Sequence, residues 1–264
     1  MYSNGASPTG KLVMIKLRNL KELLTQIFPE EGLIDYCPNG LQVEGKSEIK
    51  ILATAVSASL NTIQMAIERN VDALIVHHGI FWQRDSYVIE GTKREKIFTL
   101  LKFGVSLFAY HLPLDKHLIL GNNWKAAHDL GWEKLEPFAF TNGVPIGVKG
   151  EIKPTKREIV KANLERYYQH SANCALGGPE LIQTLALVSG GAHKTILDAS
   201  RVQVDAFITG SFDEPTWHQA FEEKINFYAL GHSATERVGP QALAKYLEEQ
   251  LKMPCLFLDA FNPF

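Results

Sequence analysis

Cysteine is scarce in this chain: Cys37, Cys174 and Cys255 are the only three in 264 residues, far apart and odd in number. They supply neither a disulfide framework nor a Cys-x-x-Cys pair, which fits a reducing compartment, the cytoplasm. No uninterrupted apolar run reaches the ~18 residues that cross a bilayer, so no membrane span is expected. A surplus of one charge is also missing, since 27 Lys and Arg against 29 Asp and Glu leave a formal net charge of -2. That balance speaks against DNA binding driven by phosphate neutralisation, unless positive residues gather on one surface. Residues 1–11 lack the apolar centre of a secretory signal, and 1–14 read as a loose tail. There is no Gly-x4-Gly-Lys-Ser/Thr loop and no Gly-x-Gly-x-x-Gly turn, which argues against a Walker-type NTPase and a standard dinucleotide site. A Gly-x-Ser-x-Gly nucleophile elbow is absent too.

What is present is enough apolar material for a real core, 45% of the residues, in β-branched runs that alternate with helical patterns. Helical spacing covers 17–28, 60–69, 93–102, 122–130, 156–168, 215–223 and 234–251, with a further helix from Ala192. Extended runs cover 49–56, 72–76, 105–110, 184–188, 205–208 and 226–230. This alternation predicts an α/β fold. The Pro- and Gly-rich stretch 131–150 is the expected boundary between two lobes. The first lobe takes 15–130 plus 235–264, and the second takes 131–234.

An internal echo supports two related lobes. Val71-Asp72-Ala73-Leu74-Ile75-Val76 resembles Val204-Asp205-Ala206-Phe207-Ile208-Thr209. One helix later, each is followed by an extended run ending in a histidine, His111 or His232. A carboxylate stands four residues beyond each, Asp115 and Glu236.

His77 and His78 follow the strand 72–76, at the carboxyl end of a sheet, where ligands gather in open α/β folds. Pooled with His111, Asp115, His232 and Glu236 they make four imidazoles and two carboxylates without a thiol. Such a set suits zinc, iron, manganese or nickel. Six ligands exceed what one catalytic zinc needs, so two divalent ions per chain are expected, as in centres whose metals lie about 3.5–4 Å apart. Blander readings stand beside this one. Ser233-Ala234-Thr235-Glu236 also fits a capping box, Asp115 also fits a turn cap after Pro113, and a histidine after a strand is commonly structural. The remaining histidines, 117, 128, 170, 193 and 218, read as solvated or core residues. Around Ser189, the Ser-Gly-Gly turn is a candidate phosphate cradle or an ordinary tight turn. Trp82 and Tyr110 are candidate stacking residues for a substrate ring, and Lys125 and Arg237 are candidate phosphate contacts.

Four segments together carry a family resemblance: His77-His78-Gly79; Tyr110-His111-Leu112-Pro113-Leu114-Asp115 with Gly121-Asn122-Asn123; Asp205-Ala206-Phe207-Ile208-Thr209-Gly210; and Gly231-His232-Ser233-Ala234-Thr235-Glu236-Arg237. From about Leu17 onward the chain resembles the Nif-three-like family of dinuclear-metal proteins, often labelled GTP cyclohydrolase type 2 homologues, in its short form without an inserted domain. The resemblance implies two α/β lobes with the metal pair in the cleft between them, and a toroidal homohexamer. It also implies that His77, His78, His111, Asp115, His232 and Glu236 hold the metals. One departure is Ser211, where relatives commonly carry a glutamate after Thr-Gly. The function expected is a metal-dependent hydrolase acting on a nucleotide-like substrate. The alternative is a non-catalytic metal-binding or metal-delivery protein, or a ring-shaped scaffold.

Overall fold

The computed structural model describes residues 13–29 and 32–264; the tail expected over 1–14 lies outside these except for Val13 and Met14. The chain is α/β. Among the described residues, the two large sheets have five and six strands, and a small two-stranded ribbon pairs Ile15–Lys16 with Glu48–Ile49.

The five-stranded sheet runs in the order Cys255–Phe257, Leu52–Ser57, Ala73–His78, Ser106–Ala109, Gly40–Val43. Its first four strands are parallel and the last is antiparallel. Both faces are covered, so the strands are apolar on alternate sides in the period of two that a pleat imposes. Ala73, Ile75, Phe108 and Tyr110 enter one core, beneath the helices Leu17–Ile27 and Val238–Leu251. Leu74, Val76, Leu107 and Ala109 enter the other, beneath Leu60–Glu68 and Gly91–Phe103.

The six-stranded sheet runs Glu133–Thr141, Val144–Lys156, Leu181–Leu187, Ala206–Thr209, Asn226–Ala229, Asn173–Leu176. Its three parallel strands, Leu181–Leu187, Ala206–Thr209 and Asn226–Ala229, end on an antiparallel edge, Asn173–Leu176. Leu52–Ser57, Ala73–His78 and Ser106–Ala109 end in the same way on Gly40–Val43. Within each of these sets of four, the antiparallel edge strand comes first in sequence, followed by the three parallel strands in order. The echo in the sequence is therefore a repeated topology.

The echoed aspartates show why those residues recur. Asp72 Oδ2 accepts the backbone N–H groups of Lys50 and Ile51 at 2.9 and 3.2 Å. Asp205 Oδ2 accepts those of Gln183 and Thr184, both at 2.8 Å. Each aspartate also takes, on its own carbonyl, the N–H that opens the third parallel strand, Ser106 or Asn226. One aspartate, through its carboxylate and its carbonyl, thus ties three strands together in each sheet.

Strands Gly40–Val43, Asn173–Leu176 and Cys255–Phe257 are not among the expected elements, and three further differences stand out. Most of residues 131–150, the expected lobe boundary, form the hairpin Glu133–Thr141 and Val144–Lys156 at the edge of the six-stranded sheet. Its turn is Asn142-Gly143, both with positive φ, the combination that a tight hairpin turn favours. His77 and His78 are the last two residues of the strand Ala73–His78 rather than part of the loop after it. The helix expected over 234–251 is broken into a single turn, His232–Thr235, and the long helix Val238–Leu251, with Glu236 and Arg237 between them.

That long helix joins the two halves. Leu243, Ala244 and Leu247 pack into the core of the first sheet and Val238 into that of the second. Removing the Asp72 carboxylate strands two backbone donors and the Lys46 ammonium that it pairs with at 2.9 Å. Asp72→Ala is expected to lower the stability of the chain by about 1.5–3 kcal/mol, read from the midpoint of urea unfolding.

Candidate metal centre

All four chain segments that build the site leave the carboxyl ends of parallel strands, three of them after Ala73–His78, Ser106–Ala109 and Asn226–Ala229. The fourth is the Ser189 turn after Leu181–Leu187. The six residues singled out in the sequence come together. The ring centroid of His77 lies 4.5 Å from that of His78 and 4.9 Å from that of His111, and His78 is 5.6 Å from His232. Glu236 sits at the centre. Its Oε1 is 3.5 Å from His77 Nε2 and 3.2 Å from His232 Nε2, and its Oε2 is 3.3 Å from His78 Nε2. Asp115 Oδ2 stands 3.7 Å from His77 Nε2.

The break between the two helices gives Glu236 this position. Its carboxylate faces the histidines instead of closing a capping box, and no side chain caps the turn His232–Thr235. Gly190 makes room for it. With φ at +68°, a Cβ on Gly190 would lie 2.1 Å from Glu236 Oε1. Asp115 is likewise no turn cap: its Oδ1 accepts Asn122 Nδ2 at 2.8 Å and the Ser189 hydroxyl at 3.1 Å. That leaves Oδ2 for His77.

Each imidazole is held by its Nδ1, away from the centre. His77 Nδ1 bonds the Tyr110 carbonyl at 3.2 Å, and His78 Nδ1 bonds the Ser57 hydroxyl at 3.0 Å. His111 Nδ1 bonds Asp35 Oδ1 at 2.7 Å, and His232 Nδ1 lies 3.4 Å from the Ser211 hydroxyl. Such outer partners fix the tautomer and aim the other nitrogen, as they do around bound metals. Ser211, the departure from the family pattern, thus holds His232.

The electrostatics follow from burial. His77 is 0% exposed and Glu236 4%. Among the described residues neither His77 Nε2 nor Glu236 Oε2 has a hydrogen-bond partner, although they stand amid close but misaligned neighbours. Burial works against a charged His77, but the Asp115 and Glu236 carboxylates prevail and raise its pKa to about 9. Burial also opposes the Glu236 carboxylate, yet His78, His77 and the bond from His232 hold it well below the usual range. His78 is pushed down by burial, whereas His232 is raised by its bond to Glu236.

The weaker candidates scatter. Trp82 belongs to the site, its ring 5.3 Å from His111 and 5.7 Å from His78. Tyr110 is not placed for stacking, because its ring lies in the core 4.6 Å from Phe28; only its carbonyl serves the site. The Ser189 turn does not offer its first amides to a phosphate. Ser189 N–H is taken by Asn123 Oδ1 and Gly190 N–H by the Thr235 hydroxyl. Lys125 and Arg237 line a separate cavity of about 340 Å³ that none of the six residues lines. There Lys125 pairs with Asp129, and Arg237 pairs with Asp259 at 3.1 Å and the Tyr168 carbonyl at 2.7 Å. Of the other histidines, His218 is an exposed partner of Glu214 and His117 caps a turn through Ile119 and Leu120.

Asp35 and Ser57 escaped the sequence reading. Asp35 lies 76 residues before His111, the group it orients, and local spacing says nothing about such a pairing. Its one local signal is Asn39, four residues on, which donates to Asp35 Oδ2 at 3.0 Å.

Stripped of divalent ions by a chelator, the folded chain holds a proton on His77 more tightly than the unfolded chain. That stabilisation is complete below pH 6.5 and is lost as pH rises to about 9. Glu236 acts in the other window, its contribution fading as pH falls below 4.5. Urea unfolding of the chelated chain is expected to show declining stability between pH 6.5 and 9, with the decline weakened in His77→Gln, where His232, also raised, retains its part. A flat wild-type profile would contradict this account of the site.

The sequence pattern of Duf34/NIF3 (NGG1p interacting factor 3) matches residues 15–263. A Chlamydia trachomatis protein named GTP cyclohydrolase 1 type 2 homolog is 44% identical over 252 residues, 95% of this chain and 100% of the relative. An Escherichia coli (strain K12) protein of the same name is 39% identical over 252 residues, 94% of this chain and 100% of the relative. A solved structure described as protein ybgI, of unknown function, superposes with a TM-score of 0.89 at 38% identity, covering 95% of this chain and 100% of its own. TTHA1606 from Thermus thermophilus gives 0.86 at 33% identity, with the same coverage. The described residues contain no helix long and apolar enough to cross a membrane. With the match spanning nearly its whole length, the chain belongs to the Duf34/NIF3 family.

Proposed function

We propose that the chain binds two divalent metal ions through His77, His78, His111, Asp115, His232 and Glu236, and works as a metal-dependent hydrolase on a nucleotide-like substrate. The observation that carries the metal reading is the pair His77 Nε2 and Glu236 Oε2: both are buried and lack a hydrogen-bond partner among the described residues. One proton on His77 does not satisfy two buried carboxylates and three further imidazole nitrogens, whose remaining lone pairs repel unless a cation lies among them. The donors fit a borderline divalent ion, since all are nitrogen or oxygen. Glu236 directs its two oxygens at different histidines, which suits a carboxylate shared between two ions. Such ions, when bound, supply Lewis acidity and a nucleophile from water at neutral pH.

The residues of the chain set up that chemistry. The Tyr110 carbonyl and the Asp35 carboxylate, acceptors only, hold the Nδ1–H of His77 and His111, and the Ser57 and Ser211 hydroxyls orient His78 and His232. Asn122 and Ser189 aim Asp115 at His77 by donating to its other oxygen. Trp82 joins the site to a cavity of about 510 Å³ lined also by Tyr36, Phe81 and Tyr87, a place where a heteroaromatic ring would stack. The names of the relatives support a GTP-like substrate. Cytoplasmic location and a toroidal homohexamer complete the proposal; Tyr87, Val88 and Ile89, exposed side by side, give such an assembly apolar surface to cover.

A second reading has its own support. Lys125 and Arg237 lie away from the cluster and the Ser189 turn is internally bonded, so those candidates leave the centre without a phosphate cradle. That favours a metal-binding or delivery protein, or a scaffold, over a hydrolase. DNA binding gains nothing from the net charge of -2.

Elemental analysis separates these readings when wild type is run beside a His77→Ala, His78→Ala double variant. About two metal equivalents per chain are expected, lost in the variant. Metal-loaded protein that leaves GTP and related nucleotides unchanged over long incubation would sink the hydrolase and leave the delivery reading. Less than about a tenth of an equivalent after reloading would sink both.

A further inference from the structure

The six-residue cluster contains no sulfur, yet a thiol stands directly behind one of its members. Asp35, Cys37 and His111 each present a ligand atom, and these atoms lie within 4.8 Å of one another. Asp35 and Cys37 come from the segment just before the edge strand Gly40–Val43, and His111 follows the strand Ser106–Ala109 that pairs with it. The antiparallel pairing is what brings the thiol to the histidine. Cys37 is buried, 5% exposed, and with Asp35 and Trp82 it lines the cavity of about 510 Å³ beside the cluster. The cavity therefore reaches the site from the side of Asp35 and Cys37.

We propose that Cys37 Sγ, His111 Nδ1 and Asp35 Oδ1 form a second metal site, which takes a thiophilic divalent cation such as zinc, cobalt or cadmium. Thiolate, imidazole and carboxylate together form a three-ligand set that zinc accepts, with its remaining position open. The thiolate sets its preference apart from that of the all-N/O cluster.

The site shares His111 with the cluster, and the two uses exclude each other. In the structure His111 Nδ1 faces Asp35 Oδ1 at 2.7 Å, which leaves Nε2 for the cluster. A cation on Nδ1 takes the lone pair there, so the ring proton moves from Nδ1 to Nε2 and the imidazole stays neutral. Cys37 loses its thiol proton to solvent. One proton is released, no electrons move, and His111 no longer offers Nε2 to the cluster. Occupation of the thiol site thus withdraws one ligand from the cluster, and release of the ion returns it. This part of the proposal rests on His111 serving the cluster; the thiol site itself does not.

Cobalt titration of the full chain reads the two sites separately, because only a thiolate ligand gives intense near-ultraviolet sulfur-to-cobalt charge transfer. The wild type is expected to show that band. Cys37→Ser should lose it and keep the visible cobalt absorption of the N/O cluster. A Cys174→Ser, Cys255→Ser double variant should keep the band. His78→Ala, which touches only the cluster, should keep the charge transfer and lose the part of the visible absorption that Cys37→Ser retains. Failure of that last pattern would count against the cluster while leaving the thiol site standing. Zinc-edge X-ray absorption of the unaltered chain provides a reading that needs no variant, with a sulfur neighbour expected at about 2.3 Å. A wild type without the band or the sulfur neighbour, or a band that survives Cys37→Ser, would overturn the proposal.

Discussion

The structure turns on a buried carboxylate, Glu236, surrounded by imidazoles that leave it no properly aligned donor for one of its oxygens. Taking a carboxylate out of water costs several kcal/mol unless positive charge returns to it. In the chain by itself that charge is a proton on His77, whose pKa rises to about 9 for the purpose. A proton on one ring compensates only partly. Glu236 Oε2 and His77 Nε2 still lack hydrogen-bond partners among the described residues. The arrangement makes physical sense as a socket for more positive charge than one imidazolium supplies.

Neither sheet builds this socket alone. His77, His78, His111 and Asp115 leave the five-stranded sheet, whereas His232 and Glu236 leave the six-stranded one. The repeated topology puts equivalent strand ends in play on both sides, and Asp72 and Asp205 tie those strands together by the same backbone bonds. The two sides differ in what they add. The first contributes three histidines with outer partners, and the second contributes the helix break that frees Glu236 and the Gly190 turn that lets it approach. A helix continuous through residue 236, or any side chain at position 190, would deny the centre its carboxylate.

Much of this was legible in the sequence. The fold class followed from alternating apolar runs, and the paired Asp-Ala-x-Ile segments announced the repeat. The six cluster residues stood out because each follows a strand and carries an imidazole or carboxylate. What stayed hidden depends on contacts between distant residues. Asp35 and Cys37 reach His111 only through the pairing of Gly40–Val43 with Ser106–Ala109. Tyr110 shares its segment with His111, but strand alternation turns its ring into the core. Lys125 and Arg237 carry the right charge but line a cavity apart from the six residues. The hairpin turn Asn142-Gly143 lies inside the Pro- and Gly-rich stretch that reads only as a boundary.

The central claim is that the gap around Glu236 is a place for two divalent ions, and anomalous diffraction locates such ions without recourse to activity. The measurement uses crystals of the full chain grown with manganese, a hard ion that avoids the Cys37 thiol, with data collected on both sides of the manganese edge. The account expects two anomalous peaks, each within bonding reach of Glu236 and of at least one of His77, His78 and His232. Peaks only at surface carboxylates, with His77 Nε2 still facing Glu236 and Asp115 directly, would contradict it.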